Sequence, residues 1–209
     1  MRISPAGAVI SCGPCRITWI NGEEKYWNDM SNRGKIDASS ELLLPNPLWD
    51  KFVNDMSNKE QIDKAFDILR DCFERGGKLL LCGNGGSAAD CDHIAAELVN
   101  GMTKRTLGLP AFSLCSQVGV ITSIANDRGV DEIFAQQVRA YGKPGDVLLA
   151  ISTSGKSRNV IAAIIATQER HMKAILLHGQ PGETTQAAQE RHQQIYHELC
   201  RRLEKEFYP

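Results

Sequence analysis

A chain of 209 residues, 42% of them apolar, is long enough to bury one sizeable core and needs no second full domain. A formal net charge of -1 and the absence of a basic run argue against an extended nucleic-acid or membrane-surface footprint. No apolar stretch approaches the ~18 residues that span a bilayer, and Met1-Arg2-Ile3-Ser4-Pro5 opens no signal-peptide pattern, so a cytoplasmic protein is expected.

The first 47 residues read as an irregular or partly disordered N-terminal arm, ended by the helix-breaking Pro45-Asn46-Pro47, with a single domain expected over residues 48–209. Cys12-Gly13-Pro14-Cys15 has the form of a thioredoxin-type redox motif. Arg16-Ile17-Thr18-Trp19-Ile20 alternates like a strand, however, where such a motif needs a helix N-terminus to lower its thiol pKa, and two thiols do not complete a zinc site. The other cysteines, Cys72, Cys82, Cys115 and Cys200 among them, read as small buried hydrophobes in a reducing compartment. Asn28-Asp29-Met30-Ser31-Asn32 recurs as Asn54-Asp55-Met56-Ser57-Asn58, a local duplication too short for a solenoid. From Ile62 the pattern becomes regular: Ile62, Ala65, Phe66, Leu69, Cys72 and Phe73 keep helical spacing, and Gly76-Gly77 closes that helix.

The next segment carries the most information. Leu79-Leu80-Leu81-Cys82 predicts a strand covered on both faces, Gly83-Asn84-Gly85-Gly86-Ser87 a glycine turn, and Ser87-x-x-Asp90 a capping box for the helix that follows. The first N–H groups of that helix could hold an anion. His93 and Glu97 lie four residues apart, on one helical face, where an imidazole and a carboxylate can meet one ion or one substrate.

Strand-like segments at Lys78–Cys82, Ala111–Cys115, Val147–Ile151 and Lys173–Leu177 alternate with helical patterns. That alternation predicts an α/β fold, a doubly wound parallel sheet flanked by helices, with ligands beyond the carboxyl ends of the strands. Ser152-Thr153-Ser154-Gly155-Lys156-Ser157 follows the third strand. With Ala150 in place of the first glycine it approximates a Walker A loop, but it follows the third strand rather than the first, and no apolar strand ending in Asp comes after it. Its hydroxyls suit a single terminal phosphate held without Mg²⁺, or simple helix capping.

Gly83-Asn84-Gly85-Gly86-Ser87, Ala125-Asn126-Asp127 and Ser152-Thr153-Ser154-Gly155-x-Ser157-x-Asn159, in this order and spacing, resemble the sugar isomerase (SIS) fold and, more narrowly, the phosphoheptose isomerase family. The resemblance covers roughly residues 60–209. It implies an aldose-ketose isomerase that converts sedoheptulose 7-phosphate to D-glycero-D-manno-heptose 7-phosphate through an enediol, in bacterial heptose biosynthesis. It further implies that Asn84, Gly85, Gly86, Ser87, Glu97, Asn126, Asp127, Ser152, Thr153, Ser154, Ser157 and Gln189 bind substrate. By the same resemblance Glu97 and His197 are the acid/base pair, and His93, Glu97, Gln189 and His197 hold one Zn²⁺ per subunit. A homotetramer with sites at subunit interfaces is implied as well. The alternative is a non-catalytic SIS protein that binds a sugar phosphate, such as the relative that binds the replication initiator; those members lack the carboxylate and histidine pair that this chain retains.

Three departures from the family pattern carry expectations. Only Gln180–Ala188 stand where the family has a glycine-rich turn, a short helix and a strand, so a shortened last strand region, a lost sheet strand and a last helix drawn out of register are expected. Lys156 replaces an asparagine, and Asn100-Gly101 stand where an arginine is usual. Gln189 and His197 would be about 12 Å apart along a straight helix at ~1.5 Å per residue, which a subunit boundary could relieve. Ile195, Leu199, Leu203 and Phe207 form a face that suits packing between subunits.

Overall fold

The computed structural model describes residues 58–209. The N-terminal arm, the Cys12/Cys15 pair and both copies of the duplicated segment, save Asn58, lie outside them. In chain order the elements are α1 (Lys59–Glu74), β1 (Leu79–Gly83), α2 (Gly86–Asn100), β2 (Ala111–Ser113), α3 (Val118–Arg128), a 3-10 turn (Val130–Glu132), α4 (Ala135–Tyr141), β3 (Val147–Ser152), α5 (Arg158–Glu169), β4 (Lys173–His178) and α6 (Thr185–Phe207). The strands form one parallel sheet in the order β2-β1-β3-β4. Each expected strand is present: β1 is displaced by one residue, β2 is two residues shorter, and β3 and β4 each run one residue further.

Every residue of β1 and β3 is buried, as continuous aliphatic runs in a doubly covered sheet require. The pleat then sorts the core into two halves. Leu79, Leu81, Val147, Leu149, Ile175 and Leu177 point to the face covered by α1, α2 and α6, whereas Leu80, Cys82, Leu148, Ala150, Ala174 and Leu176 face α4 and α5. Full burial of one such leucine stabilises by roughly 1.5–3 kcal/mol, so the sheet centre is a rigid platform for whatever its carboxyl ends carry.

Three sequence expectations need correction. Helix α2 starts two residues early, with Gly85 at its N-cap (φ 54°) and no side-chain cap. Ser87 is buried inside the first turn and Asp90 turns towards α6, so the capping box is not formed. The apolar face of α6 is not free for another subunit: Ile195, Leu199 and Leu203 are buried in the chain's own core and Phe207 stacks edge-on to Phe73. Cys72, Cys82, Cys91 and Cys200 are buried, and burial raises the thiol pKa of Cys72, Cys82 and Cys200, but Cys115 is only partly covered. A hydrogen bond from the Cys91 thiol lowers the pKa of Cys115, whose own Sγ lies 3.4 Å from the Gly83 carbonyl.

Candidate active site

Helices α2 and α6 run side by side in the same direction, and this pairing builds the site. Gln189 packs on Gly86 so closely that a Cβ there would strike its amide, Tyr196 bonds His93, His197 meets Glu97, and Glu204 accepts the backbone N–H groups of Met102, Thr103 and Lys104. Residues far apart in the chain therefore match one to one along the two helices. His93 Nε2 lies 3.2 Å and His197 Nε2 3.3 Å from the same oxygen, Glu97 Oε1. The other carboxylate oxygen, Oε2, is buried without a hydrogen-bond partner. The imidazole rings of His93 and His197 stand edge to face with centroids 5.2 Å apart.

One ligand atom from each of His93, Glu97 and His197 falls within a 4.8 Å group. Two imidazoles and a carboxylate with an orphaned oxygen fit a borderline divalent ion such as zinc. Three of the four implied ligands thus come together within one chain, and the amide of Gln189 lies against Gly86 at the start of α2.

The loops after β1 and β3 lie side by side because these strands are neighbours in the sheet. Neither N-cap residue of α2 or α5 makes a side-chain cap, so the hydroxyl groups are not consumed in capping. Ser87 and Ala88 N–H bond the Asn84 and Gly85 carbonyls and Val160 N–H bonds Asn159 Oδ1, which leaves the first N–H of each helix to face an anion. Ser157 Oγ pairs instead with Ser152 Oγ at 3.0 Å, and Ser154 Oγ accepts Lys156 N. Asn84 and Asn159 exchange two amide bonds of 2.9 and 2.8 Å, tying the two loops together. Thr153 holds the next loop through its carbonyl, which accepts Gly179 N–H. Asn126 and Asp127 are exposed at the end of α3 and bond each other. Lys156 is exposed.

Sequence reasoning missed Asp90, His192 and Tyr196. Asp90 was taken for a cap, and the other two fall on the buried face of α6, where an amphipathic pattern shows only a covered position. His192 is fully buried and neither ring nitrogen makes a hydrogen bond of normal geometry. Burial holds its pKa below the ordinary 6.5, opposed by the His178 backbone and the Asp90 and Glu183 carboxyls and assisted by Arg191. The unfolded chain therefore takes up this proton first, and His192 stabilises the fold above about pH 6.5 and loses that contribution as pH falls towards its folded-state value. Urea unfolding should show lower stability at pH 5.5 than at pH 7.5, with the difference reduced in His192→Leu; an unchanged difference would assign the pH dependence elsewhere.

The comparisons with known proteins agree with a sugar-phosphate protein of SIS class. A family model described as SIS domain matches residues 48–179, and the chain belongs to that family. Its curated relatives include the phosphoheptose isomerase of Alteromonas mediterranea, 44% identical over 153 residues that cover 65% of this chain and 77% of the relative. That of Thiobacillus denitrificans is 45% identical over 144 residues, covering 60% and 73%. Among solved structures, the phosphoheptose isomerase of Neisseria gonorrhoeae superposes with a TM-score of 0.66 at 38% identity, covering 70% of this chain and 86% of that one.

Proposed function

We propose that this chain is a phosphoheptose isomerase that interconverts sedoheptulose 7-phosphate and D-glycero-D-manno-heptose 7-phosphate, a step of heptose biosynthesis. The observation that carries the reading is the Glu97 carboxylate, flanked by two imidazoles, on the helix whose other end opens the candidate phosphate loop. Asn84, Gly85, Gly86 and Ser87 with Ser152, Thr153, Ser154 and Ser157 would take the phosphate, with Asn126, Asp127 and Gln189 directed to the sugar.

In this reading Glu97 removes a proton from C1 of the ketose while protonated His197 gives one to O2, forming the C1=C2 bond of a cis-enediol. Glu97 then returns its proton to C2 as His197 takes the hydroxyl proton from O1, leaving the aldehyde at C1 and both groups as they began. When bound by His93, Glu97 and His197, with Gln189 as the implied fourth donor, Zn²⁺ supplies Lewis-acid polarisation of the carbonyl. Residues 48–209 make up the SIS domain, with residues 1–47 as an arm, in a cytoplasmic homotetramer. Because the apolar face of α6 is spent internally, subunit contacts fall to other surfaces, and the exposed Leu107, Phe112 and Val118 are available for them. No helix among the described residues is long and apolar enough to cross a membrane.

The direct test is incubation with sedoheptulose 7-phosphate, followed by NMR for the aldose phosphate; no conversion, with binding retained, would indicate a sugar-phosphate-binding regulator. Ser152→Ala and Ser157→Ala are expected to raise KM about tenfold each, since a hydrogen bond to a charged group contributes about 1.5–3 kcal/mol. Mg-ATP should give no thermal shift. Mg-ATP binding abolished by Lys156→Ala would instead support a P-loop protein.

A further inference from the structure

Tyr196 sits on the buried face of α6, 1% exposed, with its hydroxyl 3.3 Å from Asp90 Oδ1 and 3.1 Å from His93 Nδ1. A phenol has one proton to give. Here it goes to Asp90, whose Oδ2 is buried and has no partner among the described residues. The contact with His93 is then made by Nδ1–H donating to the phenol oxygen. Gln193 is a further side-chain partner of the phenol; the assignment follows from the phenol giving its proton to Asp90, and it leaves the lone pair of His93 on Nε2. That nitrogen is the one 3.2 Å from Glu97 Oε1. The hydrogen bonds to Tyr196 fix this tautomer without a metal, and a lone pair that shares its direction with a carboxylate oxygen suits a ligand of a cation between them rather than an ion pair with Glu97.

We propose that Asp90 and Tyr196 are positioning residues that fix His93 as its Nδ1–H tautomer, so that Nε2 faces a divalent cation shared with Glu97 and His197. The inference rests on the reading of that cluster as a metal-competent site. Ligand histidines ordinarily donate their second N–H to a carboxylate or carbonyl, and loss of that partner typically weakens metal binding by roughly 10–100-fold. In this chain the carboxylate acts one step removed, through a phenol. The edge-to-face contacts of Tyr196 with His93 and His197, at 5.6 and 4.7 Å between centroids, hold both rings from the same side.

Polarity makes the proposal testable. Tyr196→Phe keeps the ring and its packing and removes only the hydroxyl. Asp90→Asn keeps the shape but can donate to the phenol oxygen, which turns the phenol proton towards His93 Nδ1 and places the imidazole proton on Nε2, the wrong nitrogen for a ligand. The experiment is Co²⁺ titration of the metal-free full chain by calorimetry and visible absorption, with long-range ¹H–¹⁵N spectra of the histidine rings and thermal unfolding of each variant. Expected are an Nδ1–H signal for His93 in the metal-free parent protein, a Co²⁺ affinity lowered about 10–100-fold in Tyr196→Phe and at least as much in Asp90→Asn, and an Nε2–H signal in Asp90→Asn. Melting temperatures of the metal-free variants should stay close to the parent. An Nε2–H tautomer in the parent, no Co²⁺ binding by the parent, or unaltered affinity in both variants overturns the proposal. Absence of turnover with sedoheptulose 7-phosphate, alongside the expected spectra and affinities, would overturn the isomerase reading and leave this one standing.

Discussion

Glu97→Gln and His197→Ala are each expected to lower turnover of sedoheptulose 7-phosphate by about 10²–10⁴-fold, the range a positioned acid or base contributes. Glutamine preserves the shape of the side chain and its contacts with both imidazoles, so the loss reads the missing base rather than a cavity. Alanine at His197 removes both a proton carrier and one of the two groups bounding Glu97 Oε1. Substrate affinity should change far less, because the phosphate loops lie at the start of α2 and at β3–α5, two or more helical turns away. If binding is preserved while kcat falls, the pair acts on the reacting carbons. Near-normal turnover in both variants would remove the proposed roles, and a matched loss of binding would show that they merely hold the sugar. Single-turnover rates separate these results, since a slow product-release step would otherwise mask a chemical defect.

The sheet and its anchoring loops were legible because strong local signals agreed. Leu79–Cys82 and Val147–Ile151 are aliphatic runs bounded by turn residues, and parallel pairing follows once helices alternate with them. The glycine turn and the serine loop follow adjacent strands, so their meeting at one edge needed only the topology rule. His93 and Glu97 were legible for the same local reason, one helical turn. What the sequence left dark were pairings of α6 with α2 and the loop after it, 100 or more residues apart, such as Asp90 with Tyr196 and Met102–Lys104 with Glu204. No periodicity distinguishes a buried tyrosine that packs from one that bridges a carboxylate and an imidazole. The capping box failed for a physical reason too. Gly85 takes a positive φ, which starts the helix before Ser87 can serve as its cap and sends that hydroxyl inward. The face of Ile195, Leu199 and Leu203 was real, but periodicity gives the width of an apolar stripe and not which surface covers it.

Arg191→Met is expected to lower turnover about 10²-fold without touching the reacting groups, the loss that a misplacement of ~1 Å can produce. The short connection from β4 to α6 should, on sequence grounds, pull the last helix out of register. Among the described residues no strand follows β4, which pairs only with β3, yet α6 brings His197 within 3.3 Å of Glu97. A compact staple accounts for this. Arg191 forks onto Glu183 with two 3.0 Å bonds and gives a third, of 2.7 Å, to the carbonyl of His178 at the end of β4. Gln180 N–H donates to the same Glu183, Gly179 N–H donates to Thr153, and Thr184 caps α6 by accepting Ala187 N–H. Four anchors in so short a segment fix where the helix begins, and therefore which side chain faces Glu97 about three turns later. Arg191 and the Gln180 N–H hold the Glu183 carboxyl down to about 2, below its ordinary 4.5. The staple therefore stabilises fully above about pH 4.5 and is lost as pH falls towards 2, well outside the working range. Methionine fills the volume of the arginine stem and removes all three bonds, so kcat should fall while KM for the sugar phosphate moves little and the helical circular dichroism stays unchanged. Turnover equal to the parent would show that packing of α6 on α1 and α2 sets the register by itself and that the staple only tidies the connection.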